Sequence, residues 1–316
     1  MTMLPYLRAV ELEDKTVETS WLVDGLWGEE AVGILGGEPK CYKSFLSLDM
    51  AVAISSGQPC LGRYQVSNPG RVLLYAAEDS PRIVKTRLMG VAAARGVSLA
   101  ACDIQVITAE RLRLDQQKDL ESLDETVATL RPRLLILDPF VRLHRIDENS
   151  SSEVAAILGN LRIIQKRHKT SILVVHHAKK SGGGIRAGQA LRGSSEFHAW
   201  GDSNLYMRRT PLGHLSLSVE HRAAASLPGI PVALIEDGEK LSLEIQTGAD
   251  DNIAPAPVKA TPADRIKQTL AAKMGPMSLS ALRDSCGIRT ATLCETLKDL
   301  LDGGAINRTQ NGYALN

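Results

Sequence analysis

A one-sided charge is the first thing this 316-residue chain lacks: 37 Lys and Arg face 36 Asp and Glu, a formal net charge of +1. No global field therefore draws the protein onto nucleic acid or a membrane surface, and any such contact must come from a local patch. Cysteine is sparse and scattered. Cys41, Cys60, Cys102, Cys286 and Cys294 are odd in number and form no C-x-x-C pair, which suits reduced thiols rather than a disulfide framework or a zinc cluster. Long apolar runs are missing too, since no uncharged stretch approaches the roughly 18 residues of a membrane span. The opening "MTMLPYLRAVELEDK" carries acids where a secretory signal would be apolar. A cytoplasmic location without membrane contact is expected. Aromatics make up only 4% of the chain, and neither an internal repeat nor a low-complexity tract is present.

What the chain does have is rhythm. "AVGILGG" (Ala31 to Gly37) reads as a buried strand and "SFLSLDMAVAISSG" as the helix after it. "RVLLYAAED", "LLILD" and "SILVVHH" read as further strands, with helices through "RIVKTRLMGVAAARG" and "SEVAAILGNLRIIQKRH". Continuous apolar strands alternating with helices predict an α/β fold whose mostly parallel sheet is covered on both faces. "NLYMRRT", "HLSLSVEHR" and "VALIEDGEKLSLEI" predict an antiparallel extension, its last pair joined around "EDGE". The aperiodic "TGADDNIAPAPVKATPAD" reads as a linker. A large domain over 1–248, a linker over 249–263 and a small domain over 264–316 follow. The small domain has the three-helix-plus-hairpin pattern of a winged helix, with Asn311 and Gly312 at the hairpin tip. Its slight basic excess leaves DNA binding and protein docking both open.

The stretch "GGEPKCYKS" follows the first strand. Strand, glycine-rich turn and a helix opening on Lys-Ser make the phosphate-loop arrangement G-x-x-x-x-G-K-[ST]. That chemistry needs amides curled around phosphates, a helix N-terminus aimed at them, one cation, and a hydroxyl for Mg²⁺. Gly37, Lys43 and Ser44 match. Tyr42 stands where the second glycine belongs, and Pro39 removes one amide donor. At a helix start a non-glycine residue is expected to take a negative φ, so Tyr42 is a steric question only. The candidate nucleotide-binding set is Gly37, Glu38, Pro39, Lys40, Cys41, Tyr42, Lys43, Ser44 and Phe45. The plain structural alternative is a tight turn with an exposed lysine.

Three polar strand ends accompany the loop. Asp138 closes an apolar strand in the Walker B manner, where its carboxylate would hold Mg²⁺ through water; otherwise it caps the next segment. Glu78 and Asp79 end the strand "LLYAAED", which places Glu78 to orient and deprotonate a water, with Asp79 or Ser80 capping the following helix. His176 and His177 end "SILVVHH". Neighbouring strand residues point to opposite faces, so only one of the two can face a nucleotide, and they are no metal pair. The ends of parallel strands share one crevice, where ligands bind in such folds.

The segments "GEPKCYKSFLSLDMAVAISSG", "VLLYAAEDSP", "LLILDPFVRLHRIDENSSSEV", "SILVVHHAKK" and "LRGSSEFHAWGDS" resemble the RepA replicative helicases of broad-host-range plasmids and the wider RecA-like ATPase group. The resemblance runs from about Trp21 to Arg209 in order. It implies a RecA-type core, a ring of six subunits, and ATP with Mg²⁺ bound between subunits. It implies Lys43 and Ser44 on phosphates and Mg²⁺, Asp138 on Mg²⁺, Glu78 as catalytic base and His177 as γ-phosphate sensor. An aromatic residue before the lysine is common in the wider group. The arginine finger such rings place after "RGSS" has no clean counterpart; Arg192, Arg208 and Arg209 are the candidates, with Arg208 placed first.

Two segments are placed to grip single-stranded DNA in a central channel: "FVRLHRIDENSSSE", and "AKKSGGGIRAGQALRG" with Lys179, Lys180 and Arg186. Basic side chains on glycine-rich backbone suit sequence-independent phosphate contact; an ordinary solvated loop is the alternative. The reading is an ATP-hydrolysing ring motor on DNA, helicase or translocase. Its rival is an ATP-dependent DNA-associated switch without unwinding, and a weaker third option is a scaffold that binds nucleotide without hydrolysis.

Overall fold

Runs of Val, Leu and Ile without polar interruption make strands that are buried on both faces. Four of them set the frame in the computed structural model, which describes residues 6–11, 20–177, 194–210, 213–246, 262–272, 276–286, 290–302, 304–309 and 312–315. The chain divides into two compact units, Met1–Ala249 and Asp250–Asn316.

The first unit opens with a small antiparallel pair, β1 (Trp21–Val23) and β2 (Trp27–Gly28). Then come β3 (Val32–Gly37), α1 (Lys43–Ser56), β4 (Val72–Ala76), α2 (Pro81–Ala94) and the short β5 (Ile104–Val106). They are followed by α3 (Gln117–Leu130), β6 (Leu134–Asp138), α4 (Ser151–His168), β7 (Ser171–His177) and α5 (Ser194–Trp200). Four strands close the unit: β8 (Ser203–Arg209), β9 (Leu215–His221), β10 (Leu227–Asp237) and β11 (Lys240–Ile245).

Among the described residues these strands form a nine-stranded sheet ordered β11-β10-β9-β8-β3-β7-β6-β4-β5. From β8 to β5 all neighbours are parallel; β9, β10 and β11 continue antiparallel. The expected architecture is thus present. "NLYMRRT" opens the antiparallel part as expected, since β8 pairs antiparallel with β9, while its other edge pairs parallel with β3. The helix α5 precedes β8, and a strand–helix–strand connection returns the chain in the same direction.

Alternation assigns each side chain to one face. Leu35, Leu74, Ile136 and Val175 belong to a core cluster under α1 and α2; Ile34, Leu73, Leu137 and Val174 belong to one under α3, α4 and α5. The antiparallel strands add Leu217, Val219 and Leu243 to the first cluster. There α1 is buried nearly all round, and its Asp49 is fully buried. Arg95, just past α2, meets it bidentately: Nε donates to Oδ1 at 2.9 Å and Nη2 to Oδ2 at 2.6 Å. The Leu61 amide adds a third bond to Asp49 at 3.0 Å, and Arg95 also donates to the Leu243 carbonyl of β11 at 2.8 Å.

The second unit contains α6 (Pro262–Ala272), α7 (Leu279–Cys286), α8 (Thr290–Asp302) and the hairpin β12 (Ile306–Thr309) and β13 (Gly312–Leu315). Ile266, Leu270, Leu282, Leu293, Leu297 and Ile306 form its own core. Gly312 has φ +130°, and a Cβ there would lie 2.1 Å from the Met277 carbonyl, so glycine is required where that backbone bridge crosses the hairpin.

Removing one partner of a buried ion pair strands the other charge. Asp49→Ala should therefore destabilise the first unit by about 3–5 kcal/mol, whereas Asp49→Leu with Arg95→Met should lose much less. Trp21, Trp27 and Trp200 all lie in this unit, so urea unfolding followed by tryptophan fluorescence reports it alone. A loss under about 1 kcal/mol for Asp49→Ala would deny the pair its role.

Candidate functional site

The register of four parallel strands brings the polar ends to one edge of the sheet, with Glu78 and His177 two residues beyond the level of Asp138. Gly37 of β3 pairs with His177 of β7, and Ala76 of β4 with Asp138 of β6. By strand parity Gly37, Ala76, Asp138 and His177 all fall on the α1 face. His176 falls on the other face. It is buried against Phe197, ring centroids 4.3 Å apart, and its Nε2 lies 3.5 Å from Glu148. His144 lies 3.5 Å from the other oxygen of Glu148, and the two imidazoles hold that carboxyl well below its usual range.

The loop after β3 turns sharply. Gly37 sits so close to β8 that a Cβ would meet the Met207 carbonyl at 2.3 Å. Lys40 and Tyr42 are left-handed, with φ +63° and +58°. The negative φ expected for Tyr42 is therefore wrong: the helix starts one residue later, and the position keeps the left-handed backbone that glycine adopts freely. Each such residue costs on the order of 1–3 kcal/mol and persists only where its surroundings impose it. Tyr42 is the N-cap of α1 but its side chain makes no capping bond, so no side chain occupies the first-turn amides there.

Lys43 is not the exposed lysine of an ordinary turn. Its side chain is buried, and Nζ donates to the carbonyls of Gly37 at 3.0 Å and Glu38 at 2.8 Å. Burial lowers its pKa, against the opposing pull of Cys41, Asp138, Glu38 and Glu78. Cys41 is buried beside it, its thiol pushed up by burial although Lys43 and Arg209 pull the other way.

Across a cavity of about 200 Å³ lie Ser44, Ala76, Glu78, Asp79, Arg87, Asp138 and Pro139. Asp138 is 9% exposed, and burial raises its carboxyl from 3.8 to about 6 despite the Ser44 hydroxyl and Lys43. Glu78 accepts from Arg142 Nε at 2.8 Å, and both side chains are exposed. Asp79 pairs with Arg87, whose guanidinium lies 5.3 Å from the Phe45 ring. Ser80 rather than Asp79 caps α2. His177 is half-buried and its pKa is lowered, by burial first and then by Lys43, while Glu78 pulls it up.

Gly37, Lys43, Ser44, Glu78, Asp138 and His177 are thus brought to one crevice. A cavity lined by a hydroxyl and a desolvated carboxylate, with a buried cation adjoining the hydroxyl at an uncapped helix N-terminus, suits a polyphosphate carrying a hard divalent cation. Arg208 and Arg209 stand exposed at the end of β8. Lys179, Lys180, Arg186 and Arg192 lie outside the described residues. In the segment "FVRLHRIDENSSSE", Phe140, Leu143 and His144 are buried, Arg142 turns back to Glu78, and Val141 and Arg145 are exposed. The sequence reading missed Arg142, Arg87 and the His144–Glu148–His176 cluster. Arg142 and Arg87 are surface-compatible arginines on separate elements, and no spacing rule connects them to Glu78 and Asp79.

A family model described as an AAA domain matches residues 2–183. Among solved structures, one described as a DnaB-like replicative helicase and its interactions with primase is similar at 11% identity and a TM-score of 0.53. The match covers 68% of this chain and 57% of that one, so it spans little more than half of the helicase chain. The RadB recombinase is similar at 17% identity and a TM-score of 0.50, over 69% of this chain and 92% of that one. At these identities the likeness is one of fold, a RecA-like P-loop core.

The Asp138 shift has a sign that can be measured. A carboxyl raised on folding binds its proton more tightly in the folded state, so stability from this group falls as pH rises through 3.8 to about 6 and stays reduced above. Asp138→Asn should therefore melt higher than the wild type without ligand at pH 7.5. The gain should shrink as pH falls through about 6 and vanish once the carboxyl is protonated in both states. Equal melting temperatures at pH 7.5 would mean the carboxylate is not desolvated.

Proposed function

The chain belongs to the AAA domain family of P-loop ATPases, and on that premise we propose that it is an ATP-hydrolysing motor. It assembles into a ring of six subunits and acts on DNA as a RepA-like replicative helicase or translocase. The observation that carries the reading is the buried Lys43 ammonium, held on its own loop's carbonyls and close enough to the desolvated Asp138 for each to act on the other's charge. Burying an ammonium is costly unless an anion pairs with it, so an anionic ligand suits this position.

Lys43 and the α1 amides bind the ATP phosphates, with the loop from Gly37 to Phe45 wrapped around them. Ser44 and Asp138 hold Mg²⁺, which when bound neutralises developing charge on the phosphates. Glu78 orients and deprotonates the attacking water once Arg142 yields it. His177, on the same face as Lys43, reports the γ-phosphate. Arg208 reaches the neighbouring subunit's site as the arginine finger. Lys179, Lys180 and Arg186 grip single-stranded DNA. DNA as the substrate is supported by the solved neighbours, one described as a replicative helicase and the other as a recombinase. Residues 1–248 form the motor, 249–263 the linker, and 264–316 a winged helix; the three helices and hairpin described there support that last assignment.

Turnover measured with and without single-stranded DNA tests the whole reading, with stimulation by DNA expected. Lys43→Ala should bind and hydrolyse no ATP. Glu78→Gln should still bind it and lose turnover by about a hundredfold or more, the usual weight of a general base. Wild-type turnover in Glu78→Gln would remove the base assignment. Mixed Lys43→Ala and Arg208→Ala subunits should regain turnover that neither has alone; silence at every ratio would remove Arg208 as the finger.

A further inference from the structure

We propose that Arg209 is a positioning residue for the nucleotide loop of its own subunit rather than a charge supplied to a neighbour's site. The proposal rests on the reading of residues 37–44 as a phosphate loop. Arg209 ends β8 and makes three contacts. Its Nη2 donates to the Lys40 carbonyl at 3.2 Å, its Nη1 donates to the Gly213 carbonyl at 3.1 Å, and its guanidinium lies 5.7 Å from the centroid of the Tyr42 ring. Lys40 and Tyr42 are the two left-handed residues of the loop. The same side chain therefore touches both positions whose backbone is strained. The loop's first residue is fixed by the same strand, because Gly37 lies against the Met207 carbonyl of β8. The charge of Arg209 also reaches Cys41, between the two strained residues.

This gives the tyrosine before the lysine a task. Glycine at that position would adopt the left-handed backbone without help but offer nothing to hold. A tyrosine offers a ring face, and a guanidinium stacks on such a face while its fork still donates hydrogen bonds. Tyr42 and Arg209 thus form one clamp that presets the curl of the loop amides before a phosphate arrives. A preset loop serves ADP and ATP alike, because both place phosphates there. The clamp acts on binding, whereas a finger acts only on the transferring phosphoryl group.

The test uses the full chain, a fluorescent ADP for binding, and steady-state ATP turnover. Arg209→Ala should weaken ADP binding and raise the KM for ATP together, by about tenfold, the scale of one weak hydrogen bond and one exposed cation–π contact. The kcat should change less than this. Arg209→Lys should recover part of the affinity. In a Tyr42→Gly background the Arg209→Ala effect should shrink to about twofold, since the platform is gone. Mixing Arg209→Ala with Lys43→Ala subunits should restore nothing, because clamp and lysine serve the same loop. Unchanged ADP affinity in Arg209→Ala overturns the proposal, as does recovery of turnover in the mixture, which makes Arg209 a finger. An equal loss in both Tyr42 backgrounds also overturns it. If the wild type itself binds no ADP, the phosphate-loop reading has failed and the clamp with it; that outcome is told apart because it precedes any variant. Melting curves with all three tryptophans in the same unit exclude misfolded variants.

Discussion

Side-chain alternation along the parallel strands governs everything else in the first unit. The residues of β3, β4, β6 and β7 that face α1 are fixed two by two from the middle of each strand. The lateral register then decides which of them end level, and Gly37 against His177 and Ala76 against Asp138 are the outcome. A slip of one residue in any of these strands would turn its polar end into the opposite core. Packing and chemistry are therefore specified by one pattern. The apolar residues that bury β6 are also what aim Asp138.

Two buried carboxylates illustrate how differently the fold treats charge. Asp49 is satisfied on all sides, by a bidentate arginine and a main-chain amide, and ties α1 to the end of α2 and to β11. Burial raises the proton affinity of both, but Asp138 has no arginine partner: a hydroxyl and a lysine pull against burial, and Asp79 and Glu78 push with it. The first arrangement is structural and complete. The second is incomplete within the chain, and incompleteness at a strand end next to a cavity is what a ligand site requires.

Much of this was legible in the sequence. β3, β4, β6 and β7 are continuous apolar runs, and Lys43, Asp138 and His177 follow from where those runs stop. β1, β2 and β5 are two or three residues long and leave no period to read, while α3 carries only two fully buried residues, Leu123 and Val127. The antiparallel pairing of β8 with β9 was legible, but its parallel pairing with β3 depended on recognising the seven-residue α5 as a crossover. The backbone of Tyr42 was misjudged because residue preference argues for φ below zero, whereas the turn between β3 and α1 holds it left-handed. The pairings of Glu78 with Arg142 and Asp79 with Arg87 join elements whose approach no local pattern encodes.

Cys41 carries a further consequence. Thiols react as thiolates, and at Cys41 burial keeps the sulfur protonated and out of reach even though two cations lie near it. Cys60 is shut away in the same manner, its thiol pushed well up by burial beside Asp49. An oxidant meeting the folded protein finds the exposed Cys294 and the half-buried Cys102 first, both remote in sequence from the loop. A cysteine that reads as a liability in the middle of a phosphate loop is thereby made chemically silent, and maleimide-type labels have a handle in the second unit that leaves the loop untouched.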